Sequence, residues 1–256
     1  MLILLSPSKT LDFQSNHIPS VKTEIPRLLN KAERLAQIMK EKPIEEIRDL
    51  MGISDALAEL NFQRYQEWRA DLHDLNGKPA LFVFKGDVYE GFHATPFPEK
   101  AFVNAEKYLR ILSGLYGILR PFDLIMPYRL EMGTALPNPA GSDLYAFWRK
   151  DVTHLINDDL KKSGSKVLLN LASNEYFKVV NQKEIQASII SPEFRDFKDG
   201  SYKMISFFAK RARGLMAAWV LRNSVTEPSD LLAFSEEGYS YNDLLSEPRK
   251  PVFTRG

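Results

Sequence analysis

Three observations predict a mixed α/β fold in a single domain spanning residues 1–256. Two short apolar runs, Leu2–Leu5 and Lys166–Leu171, have the length and composition of buried strands. Between and beyond them, apolar residues recur at helical spacing, most clearly over 26–40 and 209–222. The dipeptide Asp199-Gly200, set between SIISPEFRDFK and SYKMISFF, supplies the positive φ angles of a two-residue hairpin turn. Strands that stand both singly between helices and as a hairpin imply a mixed sheet, with its strand order left open.

The elements follow in chain order. Leu2–Leu5 is a strand closed by Ser6-Pro7. Residues 26–40 place Leu28, Leu29, Ala32, Leu35, Ala36 and Met39 on one helical face, with Pro26 in the first turn. Ile44, Ile47, Leu50 and Met51 give a short helix ended by Gly52. Ser54 caps a third helix that runs to about Trp68. After Pro79, the run Ala80–Phe84 reads as a buried strand. A helix from Glu99 to Ser113 buries Phe102, Ala105, Leu109 and Leu112, and another starts near Asp143 and is capped by Gly164. Lys166–Leu171 is a strand. The last helix, about Ala209 to Arg222, buries Ala212, Leu215, Met216, Trp219 and Val220, and short strands follow near Tyr239 and Pro251–Thr254.

Composition excludes several classes of function. The chain of 256 residues carries 34 basic and 33 acidic residues for a net charge of +1, so any basic surface comes from local arrangement. With no cysteine, disulfides, thiolate metal sites and cysteine nucleophiles are ruled out. The N-terminus lacks the basic region of a signal peptide, and no apolar run approaches the ~20 residues of a membrane span. A cytoplasmic protein without membrane contact, a monomer by default, is expected. His17, His73, His93 and His154 are scattered, so no metal is expected. Without a Walker A loop or a Gly-x-Gly-x-x-Gly fingerprint, no cofactor is expected either.

Five segments have the character of a site. Lys85-Gly86-Asp87-Val88-Tyr89-Glu90-Gly91 puts a cation and a carboxylate at the end of a strand; an ordinary polar turn is the competing reading. Leu112–Pro121 contains Gly114-x-x-Gly117 followed by Arg120, in which a helix running into a glycine turn offers backbone N–H groups to a phosphate; a glycine C-cap with a proline stop explains it equally. Arg129 and Glu131 share a face of an extended backbone, as a site pair or a surface ion pair. Lys210, Arg211 and Arg213 crowd the expected first turn of the last helix, where cations oppose the helix dipole unless an anion joins them. Asn170–Lys178 leaves a strand and enters a helix through Ser173. Ser6-Pro7-Ser8-Lys9 matches the Ser-x-x-Lys spacing of acyl-transfer enzymes but lacks a helical pattern, which leaves Lys9 as a further cation of the same site.

Read together, LLSPSKTLDF, FKGDVYEG, LSGLYGILRPFDLIMPYRLEMG, DLYAFW, NLASNEYFK and ISFFAKRARGLMA resemble the YaaA family of bacterial peroxide-stress proteins from Met1 to about Tyr239. The resemblance implies a fold built on a curved mixed sheet surrounded by helices, and a role in surviving hydrogen peroxide by limiting iron-dependent oxidative damage. It also implies double-stranded DNA binding through a basic cleft and a helix-hairpin-helix-like element, to which Gly114, Gly117 and Arg120 correspond. Lys9, Lys85, Arg129, Lys178, Lys210, Arg211 and Arg213 are the remaining candidate DNA contacts. An alternative is an enzyme acting on a nucleobase or nucleotide, with Asp87, Tyr89, Asp123 and Glu131 as its acid–base groups.

Overall fold

The first strand, β1 (Leu2–Leu5), is buried at every position, as a continuous apolar run requires when both faces of a sheet are covered. The computed structural model describes residues 1–15, 18–94 and 96–256, so His17, one of the four scattered histidines, lies outside the described residues. After β2 (Thr10–Leu11) come three helices, α1 (Leu29–Lys40), α2 (Ile44–Met51) and α3 (Asp55–Glu67). Two of their boundaries are chemical: Gly52 closes α2 at φ 58°, and the Ser54 hydroxyl accepts the Leu57 N–H at the start of α3.

The run after Pro79 departs from expectation. Ala80–Val83 forms one helical turn, α4, between β3 (Lys78–Pro79) and β4 (Phe84–Lys85). The Ala80 and Leu81 N–H groups donate to the Asp123 and Pro121 carbonyls instead of to a neighbouring strand. Helix α5 (Asp87–Phe92) follows Gly86 directly, so the expected polar turn is helical from Asp87 onward. Helix α6 (Glu99–Tyr108) stops five residues earlier than its apolar spacing suggests, because the next segment pairs in parallel with β1: Ile3 lies beside Leu109 and Leu5 beside Ile111.

That segment is β5 (Leu109–Ser113), and it turns back antiparallel as β6 (Gly117–Leu119). Then come β7 (Leu124–Ile125), the long helix α7 (Leu144–Ser163), β8 (Val167–Asn170), the short α8 (Asn174–Phe177) and β9 (Ser188–Ile190). The predicted hairpin is present as β10 (Glu193–Lys198) and β11 (Ser201–Lys203), with Asp199 at φ 51° and Gly200 at φ 77°. Helix α9 (Ser206–Asn223), β12 (Ser240–Tyr241) and β13 (Val252–Arg255) complete the chain.

The expected mixed sheet is divided. A five-stranded sheet has the order β6-β5-β1-β8-β9, with β5, β1, β8 and β9 parallel, and a four-stranded sheet has the order β11-β10-β13-β12. The pairs β2-β4 and β3-β7 stand apart from both. Buried apolar side chains from Met1 to Phe253 form one cluster around these sheets. At the N-terminal end of the parallel strands, Asp159, 3% exposed, accepts from both Arg27 and Arg110. No helix among the described residues is long and apolar enough to cross a membrane.

Candidate functional site

The topology selects one end of the five-stranded sheet. β1 sends its successor in the sheet, β5, to one side, whereas β8 sends β9 to the other. The carboxyl ends of β1 and β8 therefore flank a crevice, the place where ligands collect in open parallel sheets. A pocket of about 370 Å³ occupies that position. Its lining comes from the loop after β1 (Ser6–Lys9), the β4–α5 junction (Lys85–Tyr89), the segment after β8 (Leu171, Ser173, Glu175, Tyr176) and one face of α9 (Lys210, Arg213).

Local hydrogen bonds hold these walls. The Ser6 hydroxyl accepts the Ser173 N–H at 2.9 Å, joining the two loops, and Ser173 also caps α8. The Tyr89 hydroxyl donates to the Ser6 carbonyl at 2.9 Å. Burial pushes the Tyr89 phenol well above its ordinary range, so at neutral pH it fixes the β1 loop and is no base. Glu175 accepts the Gly133 N–H. Helix α9 reaches the pocket because α5 and α9 cross with almost no space between their backbones, at Gly91 and Gly214.

Four cations line the pocket: Lys9, Lys85, Lys210 and Arg213. Lys9 is paired with Glu131 at 2.6 Å and Lys85 with Asp12 at 2.6 Å. Among the described residues, Lys210 and Arg213 have neither an ion pair nor a hydrogen bond. They stand three apart on α9 and so share a face. Burial lowers the Arg213 guanidinium, with Glu193 opposing, yet a guanidinium stays charged in a protein. Asp87, at the first position of α5, is likewise without an ion pair or hydrogen bond among the described residues.

Other expected site residues fall elsewhere. Leu109–Leu119 is not a helix-hairpin-helix element; it is the β5–β6 hairpin, and every residue of it is buried. A β-carbon on Gly114 would lie 2.2 Å from the Leu130 carbonyl oxygen, and Gly117, at φ 71°, packs on the Trp148 ring, whose indole donates to the Gly114 carbonyl. These glycines serve packing, and their backbone is closed to a phosphate. Because β6 runs antiparallel, Arg120 and Asp123 lie back toward the other end of the sheet. There Arg120 pairs with Glu24 and with Asp123, which is fully buried and pushed upward by burial. Neither reaches the pocket.

The cationic stretch on α9 is corrected as well. The Ala209 N–H already donates to the Ile205 carbonyl, so the helix begins at Ser206 and Lys210, Arg211 and Arg213 lie beyond its first turn. At that depth in the helix these cations do not oppose the positive end of its dipole. Arg211 faces away from the pocket in a forked pair with Glu237, at 2.5 Å and 3.0 Å, a partner from downstream that local sequence does not reveal. Lys178 lies over the Tyr145 ring at 4.8 Å and does not line the pocket. Arg129 and Glu131 do pair, at 3.1 Å, which links Arg129 to Lys9 through the shared Glu131. Arg64 of α3 continues this track: its guanidinium is lowered by burial and then by the charge of Arg129. Sequence gave no signal for Arg64, an ordinary helix residue until α3 packs beside 127–131.

A family model described as "Peroxide stress protein YaaA" matches residues 1–245. A UPF0246 protein from Shewanella baltica (strain OS155 / ATCC BAA-1091) is 49% identical over 255 residues, covering 100% of this chain and 99% of that protein. A UPF0246 protein from Hahella chejuensis (strain KCTC 2396) is 47% identical, covering 100% and 99%. Another, from Alcanivorax borkumensis, is 48% identical, covering 100% and 98%. With the model spanning nearly all of the chain and relatives of this identity matching end to end, the chain belongs to the YaaA family of peroxide-stress proteins.

Proposed function

We propose that this peroxide-stress protein binds double-stranded DNA in the cytoplasm by seating backbone phosphates on the cations of the switch-point pocket. Bound in this way, it limits iron-dependent oxidative damage at the DNA. The observation that carries the reading is the pair Lys210 and Arg213, two cations on one helix face that open into the pocket with no ion pair or hydrogen bond to a carboxylate among the described residues. Leaving two like charges unneutralised is unfavourable, and a phosphate offsets it through charge-assisted hydrogen bonds. Lys9 and Lys85 add to the same surface, and the Arg129–Arg64 track extends it. The family's peroxide-stress description supports the cellular side of the reading.

The test is binding of a labelled random-sequence duplex to the wild-type protein, the double variant Lys210→Glu/Arg213→Glu, and Arg211→Glu. Charge reversal in the pocket should weaken binding by at least about tenfold, whereas Arg211→Glu, outside the pocket, should change it by less than about threefold. Equal effects of the two, or none, would remove the pocket from the reading.

A second reading, an enzyme acting on a nucleobase or nucleotide, is favoured by one observation. Asp87 presents a carboxylate that is unpaired among the described residues, in a pocket of nucleotide dimensions at a topological switch point. In this reading Asp87 is the general base, and Asp87→Asn abolishes turnover of nucleotide substrates while binding persists.

A further inference from the structure

The α9 face that carries Lys210 and Arg213 continues one turn toward the N-terminus to Phe207, since residues three apart are neighbours on a helix. Phe207 is 51% exposed in a chain whose phenylalanines, Phe197 and Phe208 apart, are otherwise buried or half-buried. It is not isolated. Phe208 (36%), Met204 (52%) and Phe197 (53%) are also exposed, in the hairpin and the helix start that follows it. The rings differ in what occupies them. Phe208 has the Arg255 guanidinium 4.6 Å from its centroid, and Phe197 has Tyr202 at 5.3 Å. Phe207 meets only the edge of Phe208, at 5.5 Å and 67°, among the described residues.

We infer that Phe207 is a stacking platform for an unpaired nucleobase, so that the cleft selects DNA containing a gap or overhang over a continuous duplex. The inference rests on the DNA-binding reading above and deepens it. Charge decides among possible occupants. An apolar partner surface gains nothing from Lys210 one turn away and Arg213 one turn further on, whereas a nucleotide carries a π-face and a phosphate joined by a sugar. An exposed aromatic ring beside a phosphate-binding groove is the arrangement by which proteins hold single strands without reading sequence. A base within a duplex has both faces covered by its neighbours, so only an unpaired one can use the ring.

The test compares two labelled probes of identical sequence, a continuous duplex and the same duplex with a short single-stranded gap that carries 2-aminopurine. The wild-type protein should bind the gapped probe roughly tenfold more tightly and change the probe's fluorescence on binding. Phe207→Ala, an exposed substitution that should fold normally, should abolish both the preference and the fluorescence change while duplex affinity stays within about twofold. Lys210→Glu/Arg213→Glu should weaken both probes. A preference that survives Phe207→Ala overturns the stacking role, as does equal weakening of both probes. A wild type that binds neither probe instead overturns the DNA reading on which the inference rests. A change in oligomeric state on Phe207→Ala, with the probe preference intact, assigns the ring to contact between copies of the chain and overturns the inference.

Discussion

Gly91 and Gly214 bring α5 and α9 into backbone contact: a β-carbon on Gly214 would stand 1.8 Å from the Val88 carbonyl oxygen, and one on Gly91 would stand 2.2 Å from the Arg211 carbonyl oxygen. Through this crossing, one helix beginning at Asp87 and another carrying Lys210 and Arg213 become two walls of the same pocket. The hard contacts are backbone on both sides, so no rotamer change relieves them.

Gly214→Ala therefore forces α5 and α9 apart. Overpacking of this kind costs about 1–3 kcal/mol, and the rigid neighbours here put the expected loss near the upper end. Urea denaturation should show that loss, and the folded fraction should bind duplex DNA less well because Lys210 and Arg213 shift with the helix. Unchanged stability would mean that the crossing relaxes without strain.

At the other end of the sheet, Asp159 neutralises Arg27 and Arg110, whose side chains are 18% and 7% exposed. Burial raises the Asp159 carboxyl, but the hydrogen bonds and charges of the two arginines outweigh it and leave the group lowered. Asp159→Asn removes that compensation and should cost about 3–5 kcal/mol, the penalty for leaving buried charge unpaired. Duplex affinity of the folded variant should stay within about twofold, which separates this structural cluster from the pocket.

Acid titration should expose the Asp12–Lys85 pair. The Lys85 ammonium, followed by the backbone N–H groups of Gln14 and Ser15, holds the Asp12 carboxyl down to about 2. The unfolded value is about 3.9, so folding favours the ionised form. This contribution is fully present above the unfolded value and fades as pH falls from about 4 to about 2. Asp12→Asn should flatten the stability profile in that window alone. At neutral pH the variant also frees Lys85 for phosphate, and duplex affinity should rise by roughly two- to fivefold; a fall would remove Lys85 from the interface.

Much of the fold was legible where local chemistry decides it. Gly52, Ser54, Gly164 and Ser173 cap the helices expected of them, α7 starts beside Asp143, and Asp199-Gly200 makes its hairpin. Failures came where a short apolar run suits two structures. Leu109–Ser113 continues the helical spacing of α6, but parallel pairing with β1 outweighs it, and the expected helix-hairpin-helix becomes a buried β-hairpin. At the site, Lys9, Lys85, Asp87, Lys210 and Arg213 were visible as charged residues in apolar segments, and the crevice gathers them. The separation of Arg211 from Lys210 was not visible, because it depends on where α9 starts and on Glu237, 26 residues away.

The most direct measurement of the central claim is duplex affinity as a function of salt, for wild type and for Lys210→Ala/Arg213→Ala. Neutralising Lys210 and Arg213 gives a slope of log affinity against log salt near −1.8, and adding Lys9 and Lys85 brings it to about −3.6. Wild-type affinity should therefore fall by roughly 10- to 150-fold between about 50 and about 200 mM salt, and the double variant's slope should be shallower by about 1.8. An affinity that does not change with salt, or a slope that the double substitution leaves intact, would contradict DNA binding at this pocket.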